Sequence, residues 1–300
     1  MKTIMTVVLL VPLFAVAQIN LVPNGDFESR SADEFPCSWL VDDDNINDYI
    51  NNWFTPIGTS TDVMSTYSKP NCWAHAPETG EGTMTPHSGN VMIGFINYSP
   101  DGGCQPEEWH EYLSVELTDS LVPGNLYCIE FWVALGGNSY YATNNIGALL
   151  TTTAIERGGC APVLYKPQVN VDRVVKNTTE WLRIEASFFA DSAYRYLTIG
   201  NFFKHEQTTI EEQFIQPAKK PEGSTRPTNP VSETAIEASE NMEISYLAYY
   251  FIDDVKLYLC PSASISVPQQ APQTPQVPKP VSVPVVNPQG PATSNPVVSN

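Results

Sequence analysis

Four runs of aromatic and β-branched residues constrain the fold of this 300-residue chain more than any other feature. They span residues 127–135, 181–189, 194–199 and 249–259. Such residues favour a pleated, half-buried backbone, and Gly, Pro, Asn and Asp cluster between the runs as they do at turns. Helical periodicity is sparse. The sequence therefore predicts an all-β fold in which short antiparallel strands form a β-sandwich.

The first 17 residues have the pattern of a secretory signal peptide. Lys2 precedes an apolar run over 7–16, which ends in the small-x-small sequence at 15–17. This run is too short to be a membrane span, and no other run of about 18 apolar residues exists. We therefore expect a protein exported to the periplasm, the outer membrane surface or the outside of the cell. The mature chain should contain no transmembrane span.

Composition divides the mature chain into a domain and a tail. Residues 261–300 contain 10 Pro and one charge, Lys279, which predicts a disordered polyproline-type linker. Residues 18–260 then form one large sandwich. Within them, about 204–243 mixes Pro, Thr, Glu and Lys with few large apolar residues, and we interpret it as a long flexible surface insertion between two strands.

Six cysteines in an exported chain favour disulfides over free thiols. None lies in a CxxC pair or at zinc-finger spacing, so a cysteine-based metal site is not indicated. Six cysteines allow about 15 connectivities, and the sequence does not choose among them. The pairs we favour are Cys37–Cys72, which brackets one loop region, and Cys128–Cys260, which joins two strands.

The charge balance excludes one class of function. The chain has 15 Lys and Arg against 33 Asp and Glu, a net charge of −18. A field of this sign repels nucleic acids and disfavours anionic membrane surfaces. Nucleic acid is therefore not an expected partner, and the acidity suits a soluble surface domain or a cation-binding one.

The two ends of the predicted sandwich carry a family resemblance. The sequence NLVPNGDFE at 20–28, together with YFIDDV at 250–255, resembles the pair of segments that brackets galactose-binding-like jelly rolls, the fold of many carbohydrate-binding modules. The resemblance implies that the first and last strands come together. It also implies glycan as a ligand and a structural calcium ion near the two ends.

Interior motifs narrow this resemblance to the N-terminal jelly-roll domain of Bacteroidetes cell-surface proteins, often followed by an OmpA-like domain. It covers about residues 20–260, and no residue of this chain supplies the OmpA-like domain. The motifs are Asn52-Trp53, Gly58-Thr59 with Asp62, Ser88-Gly89, and the segments 112–117, 121–128, 141–147 and 197–202.

The implied calcium ion would need six to eight oxygen ligands. Glu28 and the pair Asp253–Asp254 are the expected carboxylate donors, with the backbone near Asn24 and Asp26 completing the set. Adjacent side chains in a strand point to opposite faces, and we expect Asp254 to face inward with Asp253 as the alternative. The competing interpretation is that Asp26 and Asp253 cap turns while Glu28 pairs with a Lys or Arg.

Glycan binding by such modules uses exposed aromatic rings, which stack on the apolar face of a sugar. Trp73, Trp109, Tyr140 and Tyr141 lie in loop-like stretches and are the candidates. For Trp73 the alternative is packing on the disulfide of Cys72, and for Tyr141 it is a role in closing a turn. We expect Trp53 and Trp132 in the core.

No catalytic motif appears in the chain. HExxH and GxSxG are absent, and His110-Glu111 lacks the second histidine of a zinc protease helix. The sequence therefore predicts a non-catalytic exported module that binds glycan through loop aromatics and is tethered by a Pro-rich spacer. The alternative is a structural or assembly component of the cell envelope that docks to protein or peptidoglycan. A glycan-acting hydrolase is the third interpretation.

Overall fold

Strands make up nearly all the regular structure in the computed structural model of the chain. The structure describes residues 18–40, 45–100, 108–213 and 246–261. The predicted signal peptide, the remainder of the predicted insertion after residue 213 and the Pro-rich tail lie outside these ranges, and the described part forms a unit that ends at Pro261. No helix in the described part is long and apolar enough to cross a membrane.

Within these ranges the chain forms fourteen strands and two 3-10 helices. The helices are Ile46–Asp48 and His205–Gln207. The strands are β1 (Trp53–Phe54), β2 (Asp62–Ser65), β3 (Glu78–Thr79), β4 (Gly82–Thr83), β5 (Val91–Tyr98), β6 (Tyr112–Glu116), β7 (Leu126–Leu135), β8 (Tyr141–Thr143), β9 (Ile146–Thr151), β10 (Val169–Val171), β11 (Leu182–Phe189), β12 (Tyr196–Gly200), β13 (Ile210–Glu212) and β14 (Ala248–Leu259).

Two five-stranded sheets build the sandwich. One has the order β1-β6-β12-β9-β10 and the other β11-β7-β14-β5-β2, and every pairing is antiparallel. The chain changes sheet seven times, from β1 to β2, β5 to β6, β6 to β7, β7 to β9, β10 to β11, β11 to β12 and β12 to β14, which is the crossing pattern of a jelly roll. The predicted fold class, an all-β antiparallel jelly-roll sandwich, is confirmed.

Burial on both faces explains the near-continuous apolar sequence of the second sheet. In β14, Tyr250 and Ile252 point into the core between the sheets. Their neighbours Tyr249 and Phe251 point the other way, into a second cluster with Trp73. The segment containing Trp73 therefore covers the outer face of this sheet, and both faces of β14 are shielded from solvent.

The two ends of the domain meet, as the resemblance implied. The Leu21 amide donates to the Leu257 carbonyl at 2.7 Å, and the Val255 amide donates to the Gly25 carbonyl at 2.8 Å. Gly25 has to be glycine, because a Cβ there would lie 2.0 Å from the Val255 carbonyl oxygen. The N-terminal segment is thus bonded along the last strand.

Both predicted disulfides are confirmed. Cys37 and Cys72 are joined with their Cα atoms 4.6 Å apart, and Cys128 and Cys260 with theirs 5.1 Å apart. Cys260 directly follows β14, so the second bond attaches the end of that strand to β7. No cysteine in the described ranges is a free thiol.

The first part of the predicted insertion belongs to the domain. His205–Gln207 forms the second 3-10 helix, and β13 pairs with β8 so that Glu212 lies opposite Tyr141. Residues 204–213 therefore carry regular structure, where the sequence predicted a flexible insertion. This stretch has few apolar residues because β13 lies on the surface, with all three of its side chains exposed.

We predict that the two disulfides stabilise the fold unequally. Cys128–Cys260 closes a loop with a sequence separation of 132, against 35 for Cys37–Cys72. Loop-closure entropy then gives about 5 kcal/mol for the first and about 4 kcal/mol for the second. In urea unfolding of the two double alanine variants, the Cys128→Ala/Cys260→Ala chain should show the larger loss of unfolding free energy. A larger loss in Cys37→Ala/Cys72→Ala would contradict this order.

Candidate functional site

Trp73 does not belong to an exposed binding surface, which corrects the sequence prediction. Its side chain is 7% exposed and lies edge-on to Trp39 and Tyr249, with ring centroids 5.6 and 6.2 Å away. Gly80 packs so closely that a Cβ there would lie 1.7 Å from the indole. Trp73 is thus a buried structural residue, packed against aromatic rings of the second cluster.

Tyr140 and Tyr141 lie in a group of four tyrosine rings at one end of the sandwich, here called the tyrosine cluster. The rings of Tyr140 and Tyr246 are 5.2 Å apart, and those of Tyr140 and Tyr141 are 4.9 Å apart and perpendicular. Tyr98 completes the cluster at 5.5 Å from Tyr141. Tyr246 is 44% exposed and Tyr140 is half-buried, whereas Tyr98 and Tyr141 pack against the core.

Backbone hydrogen bonds hold the tyrosine cluster in place. The Tyr141 amide donates to the Leu247 carbonyl at 3.2 Å, which fixes the start of β8 beside the residue that precedes β14. On the other side the Gln213 amide donates to the Tyr140 carbonyl at 2.7 Å. The Tyr140 hydroxyl donates to Glu212 at 2.9 Å, and this bond raises the pKa of the hydroxyl. The cluster is therefore tied to two strands.

Polar groups surround the exposed rings. Glu212 bonds the Tyr140 hydroxyl, and its neighbour Glu211 forms an ion pair with Lys176 at 2.8 Å. All of these groups lie at the surface, where a ligand hydroxyl can reach them. A ring face beside carboxylates and an amine can bind a polyhydroxylated ligand with one apolar face.

Trp109 lies close to this cluster along the backbone. It forms a β-bridge with Ser99, the residue that follows Tyr98. The indole is partly buried, and its N–H points to Glu111 at 3.4 Å. The structure thus brings Trp109, Tyr140 and Tyr141 to the same end of the domain and leaves Trp73 apart from them.

The expected calcium ligands converge on the turn at 87–91. Glu28 Oε1 accepts the backbone N–H groups of Asn90 at 2.6 Å and Val91 at 2.8 Å. Asp253 Oδ2 accepts the N–H of Ser88 at 3.1 Å, and its Oδ1 accepts the N–H of Asp254 at 2.7 Å. These carboxylates thus hold the turn through N–H donors.

The orientation of the two aspartates is the reverse of the one expected. Asp253 is fully buried, and burial raises its pKa to about 8. Asp254 lies in a β-bulge with φ of 52°, and its carboxylate contacts His87 Nδ1 at 2.5 Å. The bulge breaks the alternation of side chains on which the prediction relied. His87 in turn stacks on Trp132. Trp132 is half-exposed, so the prediction that it lies in the core is wrong.

Both polar atoms of the Asn24 side chain form hydrogen bonds within the fold. Its amide donates to the carbonyls of Ser29 and Asn51, both at 2.9 Å, and its oxygen accepts the Ser29 N–H at 2.7 Å. Its own carbonyl accepts the indole N–H of Trp53. All four expected calcium ligands therefore have hydrogen-bond or ion-pair partners within the protein. They are Glu28, Asp253, Asp254 and Asn24. Calcium itself stays a prediction.

A group of buried acids was missed by sequence analysis. Asp62 accepts the Leu40 amide and the Tyr249 hydroxyl, at 2.8 and 2.7 Å, and burial raises its pKa to about 7. Burial and the nearby Asp62 raise the pKa of Glu111 well above its usual value. Asp62 and Glu111 are far apart in sequence, so no linear motif marks them.

A second missed group consists of Glu108, His110 and His205. Within the described ranges it is the one set of three acidic, histidine or cysteine side chains whose ligand atoms lie within 4.8 Å of one another. The ring of His205 also lies 4.5 Å from that of Tyr98, so this group adjoins the tyrosine cluster.

Comparisons with known proteins return structural matches alone. No protein-family profile matches the chain, and no curated protein does. Three of the solved structures that match are a xylan-binding CBM22-1 domain of Paenibacillus barcinonensis Xyn10C, a CBM61 module in complex with β-1,4-galactotriose, and the K3 adhesin domain of Lys-gingipain from Porphyromonas gingivalis.

The identities of these three matches are 14%, 12% and 11%, and the TM-scores are 0.33, 0.31 and 0.31. The matches cover 69%, 81% and 66% of this chain and 85%, 99% and 91% of the other chains, in the same order. Similarity at this level assigns no ligand and no residue role. The fold class rests on the strand pairing.

We predict that Glu28 acts as a hydrogen-bond acceptor. Glu28→Gln keeps an acceptor oxygen and should unfold within about 0.5 kcal/mol of wild type, whereas Glu28→Ala should lose about 1–3 kcal/mol because two N–H groups lose their partner. Thermal unfolding of each chain with calcium and with EDTA measures this. A calcium-dependent rise in melting temperature that Glu28→Gln abolishes would instead establish Glu28 as a calcium ligand.

We also predict that the contribution of Asp62 to stability falls as pH rises from about 4 to about 7. The raised pKa of Asp62 means that the folded state holds a proton that the unfolded chain has released, so folding weakens as that proton is lost. Asp62→Asn should reduce the change in unfolding free energy between pH 5 and pH 8 by roughly 2–3 kcal/mol. The exposed Asp172→Asn is the matched control. Equal pH dependence in Asp62→Asn and wild type would be the contrary result.

Proposed function

We propose that this protein is a non-catalytic, exported carbohydrate-binding module whose binding surface is the tyrosine cluster. The observation that carries the proposal is the pairing of half-buried Tyr140 with exposed Tyr246, with rings 5.2 Å apart beside the carboxylate of Glu212. Export and attachment through a spacer rest on the sequence patterns at 1–17 and 261–300. A place in the cell envelope or outside the cell follows from them.

Aromatic rings bind sugars through their faces, because the C–H groups on one side of a pyranose form an apolar surface of similar size. The two rings are tilted by 40° to each other. Tyr141 supports Tyr140 edge-on from the core side, so the platform is held before a ligand arrives. Preorganisation of this kind lowers the entropy lost on binding.

The charges of the chain favour a neutral glycan. The net charge is −18, and Glu211 and Glu212 stand next to the exposed rings. A sulfated or uronate-rich polymer would be repelled by this field. Carboxylates accept hydrogen bonds from sugar hydroxyls, and Lys176, paired with Glu211, can donate one. We therefore expect binding of neutral polysaccharide that changes little with salt.

The test is a glycan array and affinity electrophoresis on the mature chain from residue 18. Wild type should bind one or more neutral polysaccharides. Tyr140→Ala and Tyr246→Ala should each weaken binding at least about tenfold, or about 1.4 kcal/mol, as expected for a buried aromatic contact.

Tyr165→Ala is the matched control, since Tyr165 is 61% exposed and lies outside the cluster. It should bind like wild type. Absence of binding to every neutral polysaccharide would refute glycan recognition. If both cluster variants bind glycan as tightly as wild type, the tyrosine cluster is not the binding surface.

A further inference from the structure

Two histidine rings face each other with unpartnered nitrogens. The rings of His110 and His205 have centroids 5.0 Å apart. His110 is fully buried, and the Nε2 atoms of both rings are shielded from water without a hydrogen-bond partner. Leaving two buried polar atoms unsatisfied costs stability, so two of them on neighbouring rings call for a ligand.

The hydrogen bonds of His110 define which nitrogen carries its proton. Nδ1 lies 2.9 Å from the Asn201 carbonyl oxygen, which can only accept. The proton of the neutral ring is therefore on Nδ1, and Nε2 presents a lone pair.

Glu108 adds a carboxylate to the pair. One of its oxygens, Oε2, accepts the backbone N–H of His205 at 2.8 Å, which holds the carboxylate beside the second 3-10 helix. A carboxylate accepting one N–H keeps further lone pairs for another ligand. One ligand atom from each of Glu108, His110 and His205 lies within 4.8 Å of the other two.

Outer hydrogen bonds keep the site in shape. The Asn201 carbonyl that orients His110 also accepts the Tyr112 hydroxyl at 2.6 Å. The Asn201 side chain donates to the Asn97 carbonyl at 3.1 Å and to Thr208 at 3.0 Å. A metal-binding imidazole commonly donates its other ring N–H to a backbone carbonyl, which holds the ring in the orientation needed to bind the ion.

We propose that Glu108, His110 and His205 bind one divalent transition-metal ion, with zinc as the first candidate. Two imidazole nitrogens and one carboxylate oxygen suit zinc and its neighbours in the transition series. Calcium and magnesium prefer oxygen ligands alone. Zinc binds nitrogen at about 2.0–2.1 Å, so binding would draw the ligand atoms of these three side chains closer together than 4.8 Å.

A bound ion would attach the second 3-10 helix to the start of β6. His205 opens that helix, and His110 precedes β6 by two residues. Because the His205 ring contacts Tyr98, the ion would also stiffen the base of the tyrosine cluster. The site itself does not depend on what the cluster binds.

The experiment uses the mature chain from residue 18 without a histidine tag, stripped with EDTA and dialysed. Zinc titration by calorimetry should give one ion per chain, and saturating zinc should raise the melting temperature by about 5 °C or more. Substitution with Co²⁺ should give visible d–d absorption bands, which report nitrogen and oxygen ligands directly.

Variants separate this site from adventitious zinc binding. His205→Ala and Glu108→Gln change half-buried side chains and should each weaken zinc affinity at least about tenfold and remove the Co²⁺ bands. The control is His75→Ala, because the His75 ring lies outside the proposed site and contacts the Ser68 carbonyl. This variant should bind zinc like wild type. Absence of zinc binding to wild type would overturn the proposal. So would equal zinc affinity in wild type and His205→Ala.

Discussion

The pairing of the last strand with the middle of its sheet is the interaction on which the rest of the structure depends. β14 lies between β5 and β7, and the N-terminal segment bonds along it at Val255 and Leu257. All three partners come from distant parts of the chain. The entropy of closing these loops is lost before the contacts form, so folding should be slow and highly cooperative. The tyrosine cluster can form only once β14 is in place, because the Tyr141 amide donates to the carbonyl of Leu247, the residue that precedes β14.

The two proposed sites share a structural element. Tyr98, at the end of β5, contacts Tyr141 on one side and His205 on the other. The glycan surface and the metal site are therefore neighbours in one packed layer of rings. A metal ion at the proposed site would restrain the His205 ring, and Tyr98 and Tyr141 would connect this restraint to the proposed glycan surface. Any such effect is a coupling free energy and acts equally in both directions.

Sequence patterns predicted the features that depend on local periodicity or on position along the chain. The strands at 127–135 and 249–259 were predicted from their residue patterns. Both disulfides were the favoured pairs in a connectivity that the sequence left open, and the meeting of the two ends was implied by the family resemblance. Trp73 was misjudged because the segment that buries it folds back over the sheet, which no local pattern reveals. The aspartate pair was reversed by a β-bulge at Asp254, since one irregular residue shifts the alternation. Glu108 and His110 lie far from His205 in sequence, and only the fold brings them together.

The position of the second disulfide has a mechanical consequence. Cys260 is the residue after β14, and its partner Cys128 lies near the start of β7. A pulling force applied to the chain beyond Pro261 reaches the covalent bond before it reaches any hydrogen bond of β14. The last strand is thus protected from being peeled off its sheet, and the load passes directly into β7.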